Sequence, residues 1–334
     1  ITENRKDFQR GRVVEIIEPS PSRREPFCSY FGRCGGCQLQ HMSYHRQLEE
    51  KVKVLRETLW RIGGLAAGPV MAVPSPERAY RIRVRLHRGA EGGFGFMEGQ
   101  SDRVISIDSC PVCVEAVNRV IARGIRADSM VGAAKMSTET LTLLSTDGGV
   151  VSSPGWKPAR LEPVITVTDR PIRCSAETFF QSNLCILPQM VAHGIGGLGG
   201  NLVLDLYCGV GLFGCFLADS FEEVISVDRD PRAVALARKN LKRGKHRFFT
   251  QSVERWVRCG QGEVAAVVVD PARPGLAEPV REYLRSCTAG EVVYVSCNPA
   301  TLARDLAFLC RAGGDGEGFA IRDIRLFDFF PQTH

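Results

Sequence analysis

"NLVLDLYCGVGLFG", residues 201–214, decides the fold of this chain. An apolar, strand-forming run ends at Tyr207, and Gly209 and Gly211 interrupt it before Leu212 and Phe213 open a helical stretch. Glycines here let the backbone turn tightly and approach a ligand, and the helix start offers free N–H groups at the carboxyl edge of a sheet. Three more runs share the texture: "EVISVD" (223–228), "EVAAVVVD" (263–270) and "EVVYVS" (291–296). Continuous apolar strands interleaved with helices predict a parallel sheet covered on both faces. The second strand ends at Asp228, where an acidic residue commonly reaches a ribose hydroxyl pair. The glycines alone would mean only a tight packing turn. With Asp205, Tyr207 and Asp228 they predict a nucleoside-cofactor site, and the third glycine of a dinucleotide fingerprint is missing.

Chemistry-bearing residues collect at the same edge. "VVVDPARPGL" (267–276) ends a strand at Asp270, and "VVYVSCNP" (292–299) carries Cys297 out of an apolar strand that Pro299 stops. A thiol in that place faces the shared crevice instead of the core. Cys174, Cys185, Cys215, Cys259, Cys287 and Cys310, scattered on apolar stretches, read as buried structural thiols.

The whole chain, 334 residues with 44% hydrophobic and 24% charged, has the composition of a globular protein with room for more than one unit. No stretch reaches the ~20 apolar residues that span a bilayer, and the opening "ITENRKDFQRGRVVEI" lacks a signal peptide's regions, so no membrane is involved and the cytoplasm is the expected address. Thirteen cysteines in a reducing compartment serve metals or nucleophilic work more often than bridges. The net charge of +6 tolerates a polyanion without requiring one. In "YRIRVRLHRG" (80–89), Arg81, Arg83 and Arg85 alternate with apolar residues and share one strand face. That face is either simply solvated or a phosphate contact.

Texture divides the chain into three parts. Residues 1–27 read as a strand, "GRVVEII", and a proline-broken loop. Residues 28–170 hold a cysteine-rich knot, an amphipathic helix from Ser43 to Ile62 ended by Gly63-Gly64, and alternating segments that predict an antiparallel sheet with a helix near "VCVEAVNRVIARG" (112–124). Residues 171–334 form the parallel α/β unit.

The Asp-Leu-Tyr-Cys-Gly-Val-Gly turn resembles the S-adenosylmethionine site of class I methyltransferases, a Rossmann-like fold. Together with "FCSYFGRCGGCQLQH", "ETFFQSN", "VVVDPARPGL", "YVSCNPATLARDL" and "DFFPQTH", in this order, it resembles the RNA uracil carbon-5 methyltransferases, in particular the iron–sulfur branch that modifies 23S ribosomal RNA. The resemblance covers nearly the whole chain. It implies S-adenosyl-L-methionine as cofactor, contacted by Gln181, Tyr207, Gly209, Gly211 and Asp228, with Asp270 at the junction of cofactor and uracil. It implies Cys297 as the nucleophile that adds to carbon 6 of a flipped-out uridine and makes carbon 5 reactive. It also implies a general-base glutamate two residues past the histidine of "FPQTH", and His334 is the last residue read. Either the chain continues, or this copy lacks its base and stalls as an adduct. The family's small RNA-binding barrel, the TRAM domain, is represented only by its last strand, in "GRVVEIIEPSP".

Cys28, Cys34 and Cys37 stand in the spacing C-x5-C-x2-C, and Gly35-Gly36 permits the tight loop that gathers thiolates. A 4Fe-4S cluster needs a fourth ligand, offered by Cys110 or Cys113, and the family pattern selects Cys110. Zinc is the second candidate metal, since four thiolates suit it as well. Phe27, Tyr30 and Phe31, or Phe179 and Phe180, are either stacking surfaces for RNA bases or core. Arg81, Arg83 and Arg85 are the phosphate candidates. Nothing in the sequence calls for an obligate protein partner. Transfer RNA is the alternative substrate. A cytosine methyltransferase would want a second cysteine in the segment that reads Asp270-Pro271-Ala272-Arg273. A non-catalytic iron–sulfur RNA-binding protein is the reading from another class.

Overall fold

The computed structural model describes residues 3–6, 9–11, 13–90, 92–124, 139–154, 162–259, 262–311 and 318–334. Two short strands, Glu3–Asn4 (β1) and Gln9–Arg10 (β2), pair antiparallel at the front. The strand expected at 11–17 does not form in its described residues: Val13, Val14 and Ile17 are exposed, with no second sheet to cover their side chains. After the cysteine loop comes α1, Tyr44–Gly63, the expected amphipathic helix. It buries Gln47, Leu55 and Leu59 and stops where Gly64 turns left-handed and sends its N–H to Trp60 O.

A short strand, Met71–Val73 (β3), precedes the central antiparallel sheet of Arg83–Arg88 (β4), Phe94–Met97 (β5), Val104–Ile105 (β6), Thr140–Thr146 (β7) and Gly149–Ser153 (β8). The spatial order is β6-β5-β4-β7-β8. Alternation in β4 puts Val84 and Leu86 inside, against Leu141, Leu143 and the buried Val117 and Ile121 of α2, Glu115–Ala122.

A hairpin, Val164–Val167 (β9) with Arg170–Arg173 (β10), and α3, Leu187–Ile195, lead into the parallel sheet. Its strands are Gly200–Leu206 (β11), Phe221–Asp228 (β12), Lys245–Thr250 (β13), Ala266–Val269 (β14) and Glu291–Tyr294 (β15), in the order β13-β12-β11-β14-β15. Their connections carry Leu212–Leu217 (α4), Pro231–Asn240 (α5), Val253–Trp256 (α6) and Glu278–Ser286 (α7), and Pro299–Leu309 (α8) follows the last of them. Both faces are apolar, as the continuous strands require: Val203, Val224 and Val268 pack on one side, Leu204, Ile225, Val267 and Val269 on the other. The strand order reverses between β11 and β14, and a ligand crevice opens at the carboxyl ends of strands at such a switch point. The last strand, Arg325–Phe327 (β16), leaves this sheet and pairs parallel with β3. Among the described residues no helix is long and apolar enough to cross a membrane.

One side chain joins the end of the chain to its beginning. Gln332 is fully buried, with a left-handed φ of 73°. Its carbonyl accepts the amides of Gln38 (2.8 Å) and Leu39 (2.9 Å), and its own N–H donates to Gln47 Oε1 at 3.0 Å. Its side-chain oxygen accepts from Gln47 Nε2 at 2.9 Å, and its Nε2 donates to Glu77 at 3.1 Å. Gln332→Ala removes the side-chain bonds to Gln47 and Glu77, while Gln47 keeps Leu39 O, Met42 O and the residue-332 N–H, so we expect a loss of about 1–2 kcal/mol in urea unfolding, with faster amide exchange at residues 38 and 39.

Candidate active site

The turn after β11 is built from unusual backbone. Tyr207 has φ of 63°, Gly209 of 53° and Gly211 of 82°. A Cβ at 211 would lie 2.6 Å from Leu241 Cδ1, so only glycine lets α4 pack here; at 209 nothing stands within 4 Å, which leaves that face open to a ligand. A tyrosine in the left-handed region is held against its preference, and such residues cluster at functional sites. Its hydroxyl donates to Glu254 Oε1 at 3.2 Å. The Asp228 carboxylate fixes the turn by accepting Gly209 N–H at 2.9 Å, and it also takes Asp230 N–H at 2.8 Å. Each of its oxygens keeps a lone pair for a further donor.

Two other carboxyls face this crevice. Asp205, buried in β11, accepts Gly214 N–H at 3.0 Å. Burial pushes its carboxyl up to about 7, further helped by the charges of Asp270 and Asp228. Asp270 follows β14 directly and is partly exposed at the sheet edge, yet desolvation pushes its carboxyl up to about 7 as well. Asp228 and Asp270 thus lie at the carboxyl edge beside the open glycine turn, with Asp205 buried behind it, and a cationic ligand there would favour their ionised forms.

Cys297 lies three residues past β15, exposed, at the same edge as Asp270 because β14 and β15 are paired with Val269 opposite Tyr294. The two loops are locked together. Asn298 caps α8 by accepting Ala300 N–H, and its side-chain amide donates to Arg273 O at 3.1 Å. Behind them Asp305 is wholly buried. It accepts Leu276 N–H and the Tyr294 hydroxyl, each at 2.8 Å, together with Arg281 at 3.1 Å and Arg304 Nε at 2.9 Å. Arg304 also donates to Pro274 O and Leu276 O. Gly275 is needed in this knot, since a Cβ there would lie 2.5 Å from the Asp305 carboxylate.

The cysteine loop forms a second site. Cys28, Cys34, Cys37 and Cys110 line one cavity with Phe31, Gln40, Arg81 and Phe96. Burial pushes the Cys37 thiol up to about 11. The Cys113 thiol donates to Cys110 and holds the Cys110 thiol below its ordinary range, while Cys113 itself packs in the core of the central sheet. Cys28 N–H donates to Gln40 Oε1 at 3.1 Å, which shapes the loop's entry.

Several residues fall elsewhere than the sequence implied. Cys185 and Cys259 are exposed, because Asn183 turns the chain outward at one and the helical turn at residues 257–259 ends at the other. Phe180 is core, packed with Val210, Leu212 and Phe213, while Phe179 beside it is exposed. Gln181 next to it is half-buried, and its side chain makes no hydrogen bond among the described residues. Tyr30 is pinned by Asp108 and Phe27 lies under Arg78. Arg81 and Arg83 do share a face, but Arg81 lines the cysteine cavity and Arg83 is desolvated, donating weakly to Ala176 O; Arg85 is the exposed one. Asp305, Arg304 and Gln332 lay inside quoted motifs without a role; an aspartate on the apolar side of α8 was the available signal.

A parallel sheet in this order, with a glycine turn and acidic strand ends at the switch point, defines a class I S-adenosylmethionine-dependent methyltransferase fold. A tRNA (Uracil-5-)-methyltransferase family model matches residues 160–334. A 23S rRNA (uracil(1939)-C(5))-methyltransferase RlmD of a Shewanella species (strain MR-7) is 30% identical over 393 residues, spanning 100% of this chain and 85% of the relative. An uncharacterised RNA methyltransferase of Halalkalibacterium halodurans is 30% identical, spanning 98% of this chain and 85% of its own. The solved Pyrococcus abyssi tRNA (uracil-54, C5)-methyltransferase, in complex with S-adenosyl-L-homocysteine, superposes with a TM-score of 0.67 at 24% identity, over 96% of this chain and 86% of that one. The chain belongs to the tRNA (uracil-5-)-methyltransferase family. It is an RNA uracil carbon-5 methyltransferase.

Both buried carboxyls are raised from 3.8. Their protonated forms stabilise the fold fully below about pH 4, and that contribution is lost as pH rises through about 7. Without cofactor, urea midpoints therefore fall between these pH values, and Asp205→Asn or Asp270→Asn flattens the decline.

Proposed function

We propose that this chain methylates a uridine of 23S ribosomal RNA through a covalent bond between Cys297 and uracil. The observation that carries the reading is the exposed Cys297 thiol just past β15 at the carboxyl edge, where β15 pairs with β14, the strand that ends at Asp270, and β14 pairs with β11, the strand that feeds the glycine turn. The open face at Gly209 and the three carboxylates fit a sulfonium cofactor, which when bound supplies an electrophilic methyl group. Gln181, Tyr207, Gly209, Gly211, Asp228 and Asp270 would hold it. Cys297 Sγ would bond to carbon 6 and send the electron pair onto the ring, which makes carbon 5 nucleophilic enough to take the methyl that a bound sulfonium cofactor would supply, its sulfur becoming a neutral thioether. A base then removes the carbon-5 proton, the ring double bond re-forms and the C–S bond breaks. Family resemblance puts that base two residues beyond His334, next to the segment Gln332 anchors.

The fourfold thiol lining of the cysteine cavity fits an iron–sulfur cluster held by Cys28, Cys34, Cys37 and Cys110. Zinc is the second candidate for the same four thiolates, and among the described residues no group of three or more His, Cys, Asp or Glu is arranged to hold a metal ion. A bound cluster would order the RNA-facing part, residues 28–170, since the transfer needs no electron; residues 1–27 would belong to a TRAM-like barrel. The target base must be flipped out to meet Cys297. Arg85, with Arg81 and Arg83 behind it, supplies phosphate contact, and exposed Phe179 a stacking surface. The cytoplasm holds such an RNA. Transfer RNA stays a second reading because the matching family model carries that description.

Cys297→Ala should cut methyl transfer from labelled cofactor to total RNA by at least about a thousandfold, with cofactor affinity unchanged; retained transfer removes Cys297 from the reaction. Mapping the label to one nucleotide separates ribosomal from transfer RNA. Anaerobically purified protein should be brown with four irons per chain, and Cys34→Ser colourless; zinc in the wild type defeats the cluster.

A further inference from the structure

The outer flank of α8 carries a pocket that neither the reaction nor the cysteine cavity uses. It has a volume of about 230 Å³ and is lined by Ile62, Arg281, Arg304, Ala307, Phe308 and Arg311. Three guanidinium groups meet there over an apolar floor. A fourth, Arg285, lies 4.5 Å above the Phe308 ring. The acids paired with these four cations are two: Asp305, buried beneath the pocket, and Glu282, bonded to Arg285 at 2.7 Å. A positive surplus remains. Arg281 Nε is buried without a hydrogen-bond partner, and Arg311, exposed at the far end of α8, pairs with no acid among the described residues.

The pocket is coupled to the catalytic edge through one loop. Arg304, on its wall, holds the carbonyls of Pro274 and Leu276, just beyond Asp270. On the loop's other side the Arg273 carbonyl accepts Asn298 Nδ2 and Thr301 Oγ1, next to Cys297. The Arg273 side chain itself is exposed. At 1.5 Å per residue, α8 runs about 15 Å from Pro299 to Leu309, with Arg311 just past its end, a reach of a few nucleotides. Guanidinium forks match phosphate oxygens in pairs, and an aromatic ring under arginine suits an adjoining sugar or base.

We propose that this pocket binds a backbone phosphate of the RNA substrate, a few nucleotides from the methylated uridine, and so extends the RNA path from Cys297 along the outer flank of α8. This rests on the RNA-substrate reading above. Its ligand is a phosphodiester within a longer strand, which makes it a contact for affinity and register instead of chemistry.

The test uses the full chain, a 23S ribosomal RNA fragment that it methylates, and the same fragment trimmed to the target loop. Arg311→Gln should weaken binding of the long fragment by roughly three- to tenfold and lower the slope of log K against log salt by about 1. Arg311→Lys should recover most of that slope. Methylation at saturating RNA, cofactor affinity and binding of the trimmed loop should match the wild type. An unchanged slope on the long fragment overturns the site, as does an equal loss on both fragments. Stabilisation by inorganic phosphate that Arg311→Gln removes, with no change in the RNA slope, would assign a free anion and overturn the RNA path. Wild-type protein that methylates no RNA at all would sink the substrate reading and this site with it.

Discussion

A carboxylate removed from water must have its charge matched on every side, and Asp305 meets that demand by drawing two loops onto itself. Its oxygens take a backbone amide from the loop after Asp270, a hydroxyl from the last residue of β15 and two guanidinium groups. Breaking one partner of such a buried set leaves an uncompensated charge, so the arrangement is close to all-or-none. The loop that bears Asp270 and the helix start that follows Cys297 are thereby held in one register. Gly275 belongs to the same constraint, since no side chain fits between it and Asp305.

Gln332 does for the ends of the chain what Asp305 does for the two loops. The parallel sheet alone would leave the terminal segment loose. Burying Gln332 among Gln38, Leu39, Gln47 and Glu77 ties it to the cysteine loop and to α1, while Tyr80 O–H donates to Pro331 O at 2.8 Å and Asn183 Nδ2 to Phe329 O at 3.1 Å. Segments distant in sequence, among them "FFQSN" and "FPQTH", thus meet through polar contacts satisfied away from water. The cysteine cavity lies on the other side of this node, with Gln40 reaching Cys28 and Arg81 lining its wall.

Legibility followed the strength of local physics. The parallel sheet was readable because its strands are buried on both faces and carry unbroken apolar runs, and α1 because Leu55 and Leu59 keep helical spacing. The glycine turn and Asp228 were readable because positive φ at 209 and 211 selects glycine. The segment 11–17 forms no strand in its described residues: the β-branched Val13, Val14 and Ile17 stay exposed, and β-formers make a strand only where packing partners cover them. Cys185 and Cys259 looked buried because their neighbours are apolar, yet exposure is decided by turns that local composition does not record. Arg83 was taken for a surface cation, and tertiary packing had already desolvated it. Asp305 and Gln332 escaped notice because their partners lie far away in sequence, up to 285 residues for Gln47.

The account stands on which sulfur meets the pyrimidine, and three cysteines are exposed: Cys185, Cys259 and Cys297. Incubating the wild-type chain and S-adenosylmethionine with substrate RNA containing 5-fluorouridine, then digesting both polymers and sequencing the nucleotide-bearing peptide by mass spectrometry, reads it directly. The prediction is a single adduct on Cys297, carrying a methylated fluorouracil. An adduct on Cys185 or Cys259, or methylated RNA with no adduct anywhere, would contradict it.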